Sequence, residues 1–91
     1  MEEIRIKEIK ALDDYMLLIT FNNGDIKLFN FKPYLEIEVF KHLKDKNTFN
    51  KVYLNCGFAT WDENTDFSAS TMYTEGIDID VLKDIIHSLS A

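Results

Sequence analysis

The chain offers few side chains that act as nucleophiles, bases or metal ligands. It has one cysteine, Cys56, and two histidines, His42 and His87, which are the nucleophile and base candidates. Their spacing brings no two of them together. Cys56 falls in a turn-like Asn55-Cys56-Gly57, His87 near the end of a terminal helical pattern, and His42 between Lys41 and Lys44. Catalysis is therefore not expected, and no catalytic residue is assigned. A structural zinc site needs four ligands, and no Cys-x-x-Cys pair is present. The segment Asp62-Glu63-Asn64-Thr65-Asp66 opens like a calcium loop, but Phe67 stands where the loop needs glycine and Tyr73 where it needs glutamate. Ser68 and Ser70 lack the Gly-x-Ser-x-Gly context of a nucleophile elbow. The three glycines are isolated, so no loop cradles a phosphate. No metal and no cofactor is expected.

Two kinds of binding surface remain. Trp61, Asp66 and Tyr73 are the candidates for a small-ligand site, an indole face beside a polar loop. Lys41, Lys44, Lys46 and Lys51 lie near Phe40 and Phe49, but Glu36, Glu38 and Asp45 dilute that basic patch, and nucleic acid is disfavoured. The net charge of −6 has a location: residues 1–61 carry nine acids and nine bases. Residues 62–91 carry Asp62, Glu63, Asp66, Glu75, Asp78, Asp80 and Asp84 against Lys83 alone. That field repels nucleic acid and anionic lipid and favours a basic partner.

The elements that position these residues read as one α+β domain over residues 1–91, with a small antiparallel sheet of hairpins, short helices and a C-terminal amphipathic helix. Glu2 to Leu12 reads as a strand whose apolar parity switches near Lys7-Glu8, the mark of a β-bulge. Asp13-Asp14 is a turn. Tyr15–Phe21 and Ile26–Phe31 form a hairpin. A type I′ turn at Asn23-Gly24 would set Phe21 opposite Ile26, Ile19 opposite Leu28 and Leu17 opposite Asn30. That register puts Phe29 and Phe31 on the second face with Met16 and Leu18. This half-apolar face needs a cover, from the chain's own helices or from a partner. Pro33 suits a helical first turn. Glu38–Lys44 reads as a short helix with Val39, Phe40 and Leu43 inward, and Phe49 anchors a further turn. Val52–Leu54 and Phe58–Trp61 make a second hairpin around Asn55-Cys56-Gly57, and Asp62–Asp66 reads as a polar loop. Ser68 or Ser70 caps a helical turn holding Thr71, Met72 and Tyr73. From about Ile79 to Leu89, Val81, Leu82, Ile85, Ile86 and Leu89 form an apolar stripe at helical spacing, with Asp78 as its cap. The longest apolar run, Met16 to Ile19, is far short of a membrane span, and the acidic Met1-Glu2-Glu3 start and unpaired cysteine suit a cytoplasmic protein.

The run from Ala11 to Gly24 resembles the opening of small prokaryotic proteins catalogued as domain of unknown function 2442. So do Asp25 to Phe31, Pro33-Tyr34-Leu35, Val39-Phe40, Leu43-Lys44-Asp45 and Phe49. Trp61, Asp66, Thr71 and Tyr73 fall at the spacing of that family's C-terminal block. The resemblance covers roughly residues 4–73, and the sequence departs from the block at Asp62, Ala69 and Ser70. It implies a small α+β fold with a β-meander and no reaction. The functional expectation is a non-enzymatic protein–protein interaction module. It would bind a basic protein, such as the product of a neighbouring gene in a toxin–antitoxin-like pair, or itself, through the sheet face at Phe29 and Phe31 or a sheet edge. The alternative is a small-ligand domain with its pocket near Trp61 and Asp66.

Overall fold

A computed structural model describes residues 3–89. Its first unit is β1 (Ile6–Ala11), a 3-10 turn at Asp13–Tyr15, β2 (Met16–Phe21) and β3 (Ile26–Asn30). The expected strand start at Glu2 lies outside the described residues. Ile6 pairs with Phe21 and Glu8 with Thr20, so Lys7 is the extra residue of a bulge at the expected place. Asp14 and Tyr15 both take left-handed backbone angles, φ 64° and 60°, and turn the chain back within three residues.

The β2–β3 register differs from the expected one by a single residue. Leu17 lies opposite Phe29, Leu18 opposite Leu28, Ile19 opposite Lys27 and Thr20 opposite Ile26. The loop contains three residues, Asn22-Asn23-Gly24. The Phe21 N–H donates to the Asp25 carbonyl at 2.8 Å, and Gly24, at φ +93°, absorbs the extra residue. Asn22 leaves the ladder to hold the start of the chain: its Oδ1 accepts from the Arg5 N–H and its Nδ2 donates to the Glu3 carbonyl. A one-residue slip moves a strand's side chains to the opposite face. Here it turns Phe29 inward beside Leu17 and leaves Leu28 and Ile26 outward.

The rest of the chain shows why this register wins. The next segments are 3-10 turns at Lys32–Tyr34 and Glu38–Lys44, then α1 (Lys46–Phe49), β4 (Tyr53–Asn55), β5 (Phe58–Asp62), β6 (Thr65–Phe67) and α2 (Ala69–Glu75). They bring Tyr34, Phe40, Phe49, Trp61 and Phe67 onto one side of the first sheet. Phe31 lies at the centre of these rings, with centroids at 5.1 Å from Trp61, 5.4 Å from Phe40 and Phe67 and 5.8 Å from Phe49. Phe29 packs on Phe67 and Tyr34. Each large ring withdrawn from water removes roughly 150–250 Å². Burying Phe29 and Phe31 rather than Ile26 and Leu28 is therefore the better use of the covered face. The cover is the chain's own.

Two further differences have local causes. Val39 is exposed because Glu38–Lys44 is a 3-10 helix, in which residues three apart share a face. Phe40 and Leu43 align inward and Val39 falls off that line. The expected loop at Asp62–Asp66 is instead a second tight hairpin, with Asp62 paired to Thr65 and β4, β5 and β6 forming a three-stranded antiparallel sheet. The Asn55-Cys56-Gly57 hairpin forms as expected, and both of its central residues have positive φ (53° and 83°), as a type I′ turn requires. The Ile6 N–H donates to the Gly57 carbonyl at 2.8 Å and ties the two sheets together.

Ser68 caps α2, its hydroxyl accepting from the Thr71 N–H. Beyond Gly76, β7 (Ile77–Asp78) pairs with β3 and completes a four-stranded sheet of order β1-β2-β3-β7. It leads into α3 (Ile79–Leu89), whose first turn is held by Asp78 Oδ1 accepting from the Asp80 N–H at 2.9 Å. Among the described residues, no helix is long and apolar enough to cross a membrane. The fold is α+β, two small antiparallel sheets with short helices and a C-terminal helix.

Candidate functional site

The five residues singled out by type are dispersed. Phe29 and Phe31 are 2% and 0% exposed and present no surface, so the sheet face they were expected to offer does not exist. Trp61 is also interior: its Nε1–H donates to the Phe49 carbonyl at 2.9 Å and its ring lies against Phe31 and Phe49. Asp66 is exposed on β6 opposite Thr60. Tyr73, on α2, stands edge-on to Phe21, and its hydroxyl lies between the Asp25 carboxylate and Asn23 Nδ2. Among the described residues, no hydrogen bond or ring contact joins Trp61, Asp66 and Tyr73.

Tyr73 instead fastens α2 to the tip of the first hairpin. Lys27 Nζ sits 4.2 Å from the centre of its ring, a cation–π contact on the same side as Asp25. Two residues beyond Tyr73, at the last residue of α2, the Tyr34 hydroxyl donates to Glu75. Both tyrosines are pushed above their ordinary value of 10.0, each first by its hydrogen bond to a carboxylate and then by burial and the carboxylate's charge, with Asn23 opposing in part at Tyr73. A raised folded-state pKa means that the unfolded chain gives up these protons first. The contribution is complete below pH 10.0 and is lost as pH rises through the folded-state values. The urea midpoint of the protein should fall above pH 10.0, and fall less steeply in a Tyr34→Phe/Tyr73→Phe double variant. Equal slopes for both proteins would contradict these roles.

A second polar cluster joins the 3-10 helix at residues 38–44 to the β5–β6 hairpin. His42 Nε2 lies 3.1 Å from Asp62 Oδ2 and 3.2 Å from the Thr65 hydroxyl. One nitrogen serves both contacts, so the ring does not stand between Asp62 and Thr65 and cannot relay a proton from one to the other. The Asp62 carboxyl is held below the ordinary carboxylate value, first by the Asn64 N–H and then by Thr65 and His42. Its oxygens are thus engaged in closing the hairpin.

An open cleft of about 490 Å³ lies beside the first turn, lined by Asp14, Tyr15, Lys32, Leu35, Glu36 and Lys44. Its charges are paired across the rim, Lys32 with Asp14 and Lys44 with Glu36, and the Tyr15 hydroxyl donates to the Lys44 carbonyl. This concavity is distinct from the one expected near Trp61 and Asp66.

The clearest surface feature is α3. Val81 and Ile85 are each 52% exposed and Leu89 is 82% exposed, and Ile77 just before the helix is 47% exposed. They contrast with the fully enclosed Leu17, Ile19, Phe21, Phe31 and Leu43. The helix meets the rest of the domain mainly through β7 and β3, and none of its described residues is buried. The stripe was visible in the sequence. Its exposure was not, because periodicity shows only that a face favours cover.

No curated protein and no solved structure matches this chain. A family model does, over residues 6–78, from the first residue of β1 to the last of β7. The chain therefore belongs to the family described as "Protein of unknown function (DUF2442)".

Proposed function

We propose that this protein is a non-enzymatic interaction module that docks another protein on the exposed apolar face of α3. The observation that carries this reading is that Val81, Ile85, Ile86 and Leu89, all on this one helix, are each more than half exposed. Single exposed apolar residues are ordinary on protein surfaces, but a row along one helix is the form that helix-in-groove recognition takes. A sheet edge is the poorer route. β1 carries the Lys7 bulge with Lys7, Glu8 and Lys10, features that discourage strand addition, and β7 has only two residues. The test compares proteins recovered from cells with the wild-type chain and with Val81→Asp/Ile85→Asp. A defined protein retained by the first and lost by the second, with both chains equally folded by circular dichroism, is the expected result. Identical recoveries would refute the reading.

A small-ligand function is the second reading, and the strained pair Asp14 and Tyr15 in the wall of the 490 Å³ cleft favours it. Tyr15 stands edge-on to Phe49, which stacks on Trp61, so a ligand there should change the Trp61 emission. A metabolite screen without any such change would remove this reading.

A further inference from the structure

We propose that Asn23 is a site of covalent modification, the hydrolytic loss of its side-chain ammonia through the Gly24 amide, and that a clasp formed with Asp25 and Tyr73 governs its rate. Asn23 is the one asparagine of the chain that glycine follows. Glycine has no Cβ to shield its own backbone nitrogen, so that nitrogen can approach the preceding side chain. Both residues are exposed at the tip of the β2–β3 hairpin, within reach of water. In the reaction the Gly24 nitrogen gives up its proton to hydroxide and bonds to Asn23 Cγ. The Cγ–Nδ2 bond breaks, and the amide nitrogen leaves as ammonia with a proton from water. Water then opens the five-membered imide at either of its carbonyls. Residue 23 becomes aspartate or, with Cβ drawn into the main chain, isoaspartate. A water is consumed and an ammonia released, with no change of oxidation state.

The folded chain holds both reacting groups. The Gly24 N–H donates to the Phe21 carbonyl at 3.0 Å. Asn23 Oδ1 accepts from the Asp25 N–H at 3.0 Å, while Asn23 Nδ2 donates to Asp25 Oδ2 at 3.1 Å and to the Tyr73 hydroxyl at 3.0 Å. That hydroxyl in turn donates to Asp25. Attack on Cγ requires the amide to turn out of these bonds, so the reaction proceeds from a locally opened tip. Among these groups Tyr73 alone comes from outside the hairpin, 50 residues along the chain from Asn23 on α2. The docking of α2 therefore sets how often the tip opens. The product cannot rebuild the clasp. A carboxylate has no N–H to give to Asp25 or to the Tyr73 oxygen, and it places a second negative charge beside Asp25. Isoaspartate also lengthens the main chain of the loop. Conversion thus unfastens α2 from the first hairpin irreversibly.

The experiment incubates the full chain in mildly alkaline buffer and follows each asparagine by peptide mapping and mass spectrometry, which separates the aspartyl and isoaspartyl products. In the native chain, conversion at Asn23 should outrun that at every other asparagine. Tyr73→Phe should convert Asn23 roughly two- to tenfold faster, the shift in the opening equilibrium when one hydrogen-bonding hydroxyl is lost. In urea both chains should convert at the same, higher rate, and Gly24→Ala should slow it there. Leu43→Val, a core change in another segment, controls for global unfolding and should speed conversion less for the same loss of stability. Equal native rates in wild type and Tyr73→Phe would overturn the control by the clasp. So would native conversion as fast as in urea, or a Leu43→Val chain that matches Tyr73→Phe. Conversion no faster at Asn23 than at the other asparagines, or unslowed by Gly24→Ala in urea, would overturn the site itself. Asn23→Asp should exchange the backbone amides of α2 for deuterium faster than wild type, and unchanged exchange would overturn the loosening of α2.

Discussion

Phe31→Ala should be among the most damaging single substitutions in this protein, lowering its stability by about 3–5 kcal/mol. The side chain is fully enclosed and its ring lies within 6.3 Å, centroid to centroid, of Phe29, Tyr34, Phe40, Phe49, Trp61 and Phe67. Truncation leaves a cavity bordered by stiff planar groups from six separate segments, which cannot all move inward together. Domains of this size have roughly 5–15 kcal/mol in total, so the variant should lose a large fraction of its stability. Urea unfolding followed by far-ultraviolet circular dichroism measures the loss. The same substitution on a partner-facing surface would change stability by less than about 0.5 kcal/mol, so the measurement also decides whether the sheet face at Phe29 and Phe31 is interior.

The second large effect is expected at Gly76→Ala, about 1–3 kcal/mol, from overpacking. Gly76 follows α2 with φ −68° and ψ 152°, angles open to any residue. Glycine is needed there for space. A Cβ would lie 2.6 Å from the Met72 carbonyl oxygen and 3.1 Å from Lys27 Cβ, while the Gly76 N–H already donates to that carbonyl at 2.9 Å. The backbone atom cannot swing away as a side chain would. The strand that follows, and α3 behind it, must shift. Gly24→Ala supplies the contrast, since its Cβ would meet nothing within 4 Å and its cost is the strain of φ +93° alone, about 1–2 kcal/mol. Thermal unfolding of the two variants should show Gly76→Ala losing at least as much stability and also weakening any binding at α3. An unchanged melting temperature would contradict the account.

Much of this architecture was legible because its signals are local. The parity switch at Lys7, the Cys56-Gly57 turn, the Ser68 cap and the amphipathic period of α3 each depend on a few consecutive residues. The β2–β3 register was not legible. Asn22-Asn23-Gly24 supports either a two- or a three-residue loop, and the choice depends on which face receives Tyr34, Phe40, Phe49, Trp61 and Phe67. That information lies in pairings across tens of residues. The candidate site failed for the same reason. Phe29 and Phe31 looked available only in the other register, and Trp61 beside a polar loop gave no sign that its indole N–H would reach back to the Phe49 carbonyl.

The bond from the Ile6 amide to the Gly57 carbonyl joins the first strand of one sheet to a hairpin tip of the other. During synthesis the leading meander therefore leaves the ribosome before the surface that will shelter it. Leu17, Ile19, Phe21 and Phe29 stay wet until the segment containing Trp61, Phe67 and Met72 has emerged. Until then the nascent chain displays a bare greasy sheet, the kind of species that chaperones capture and that clumps when they are scarce. Truncation before residue 57 should thus yield an insoluble fragment rather than a smaller domain, for want of the lid made last.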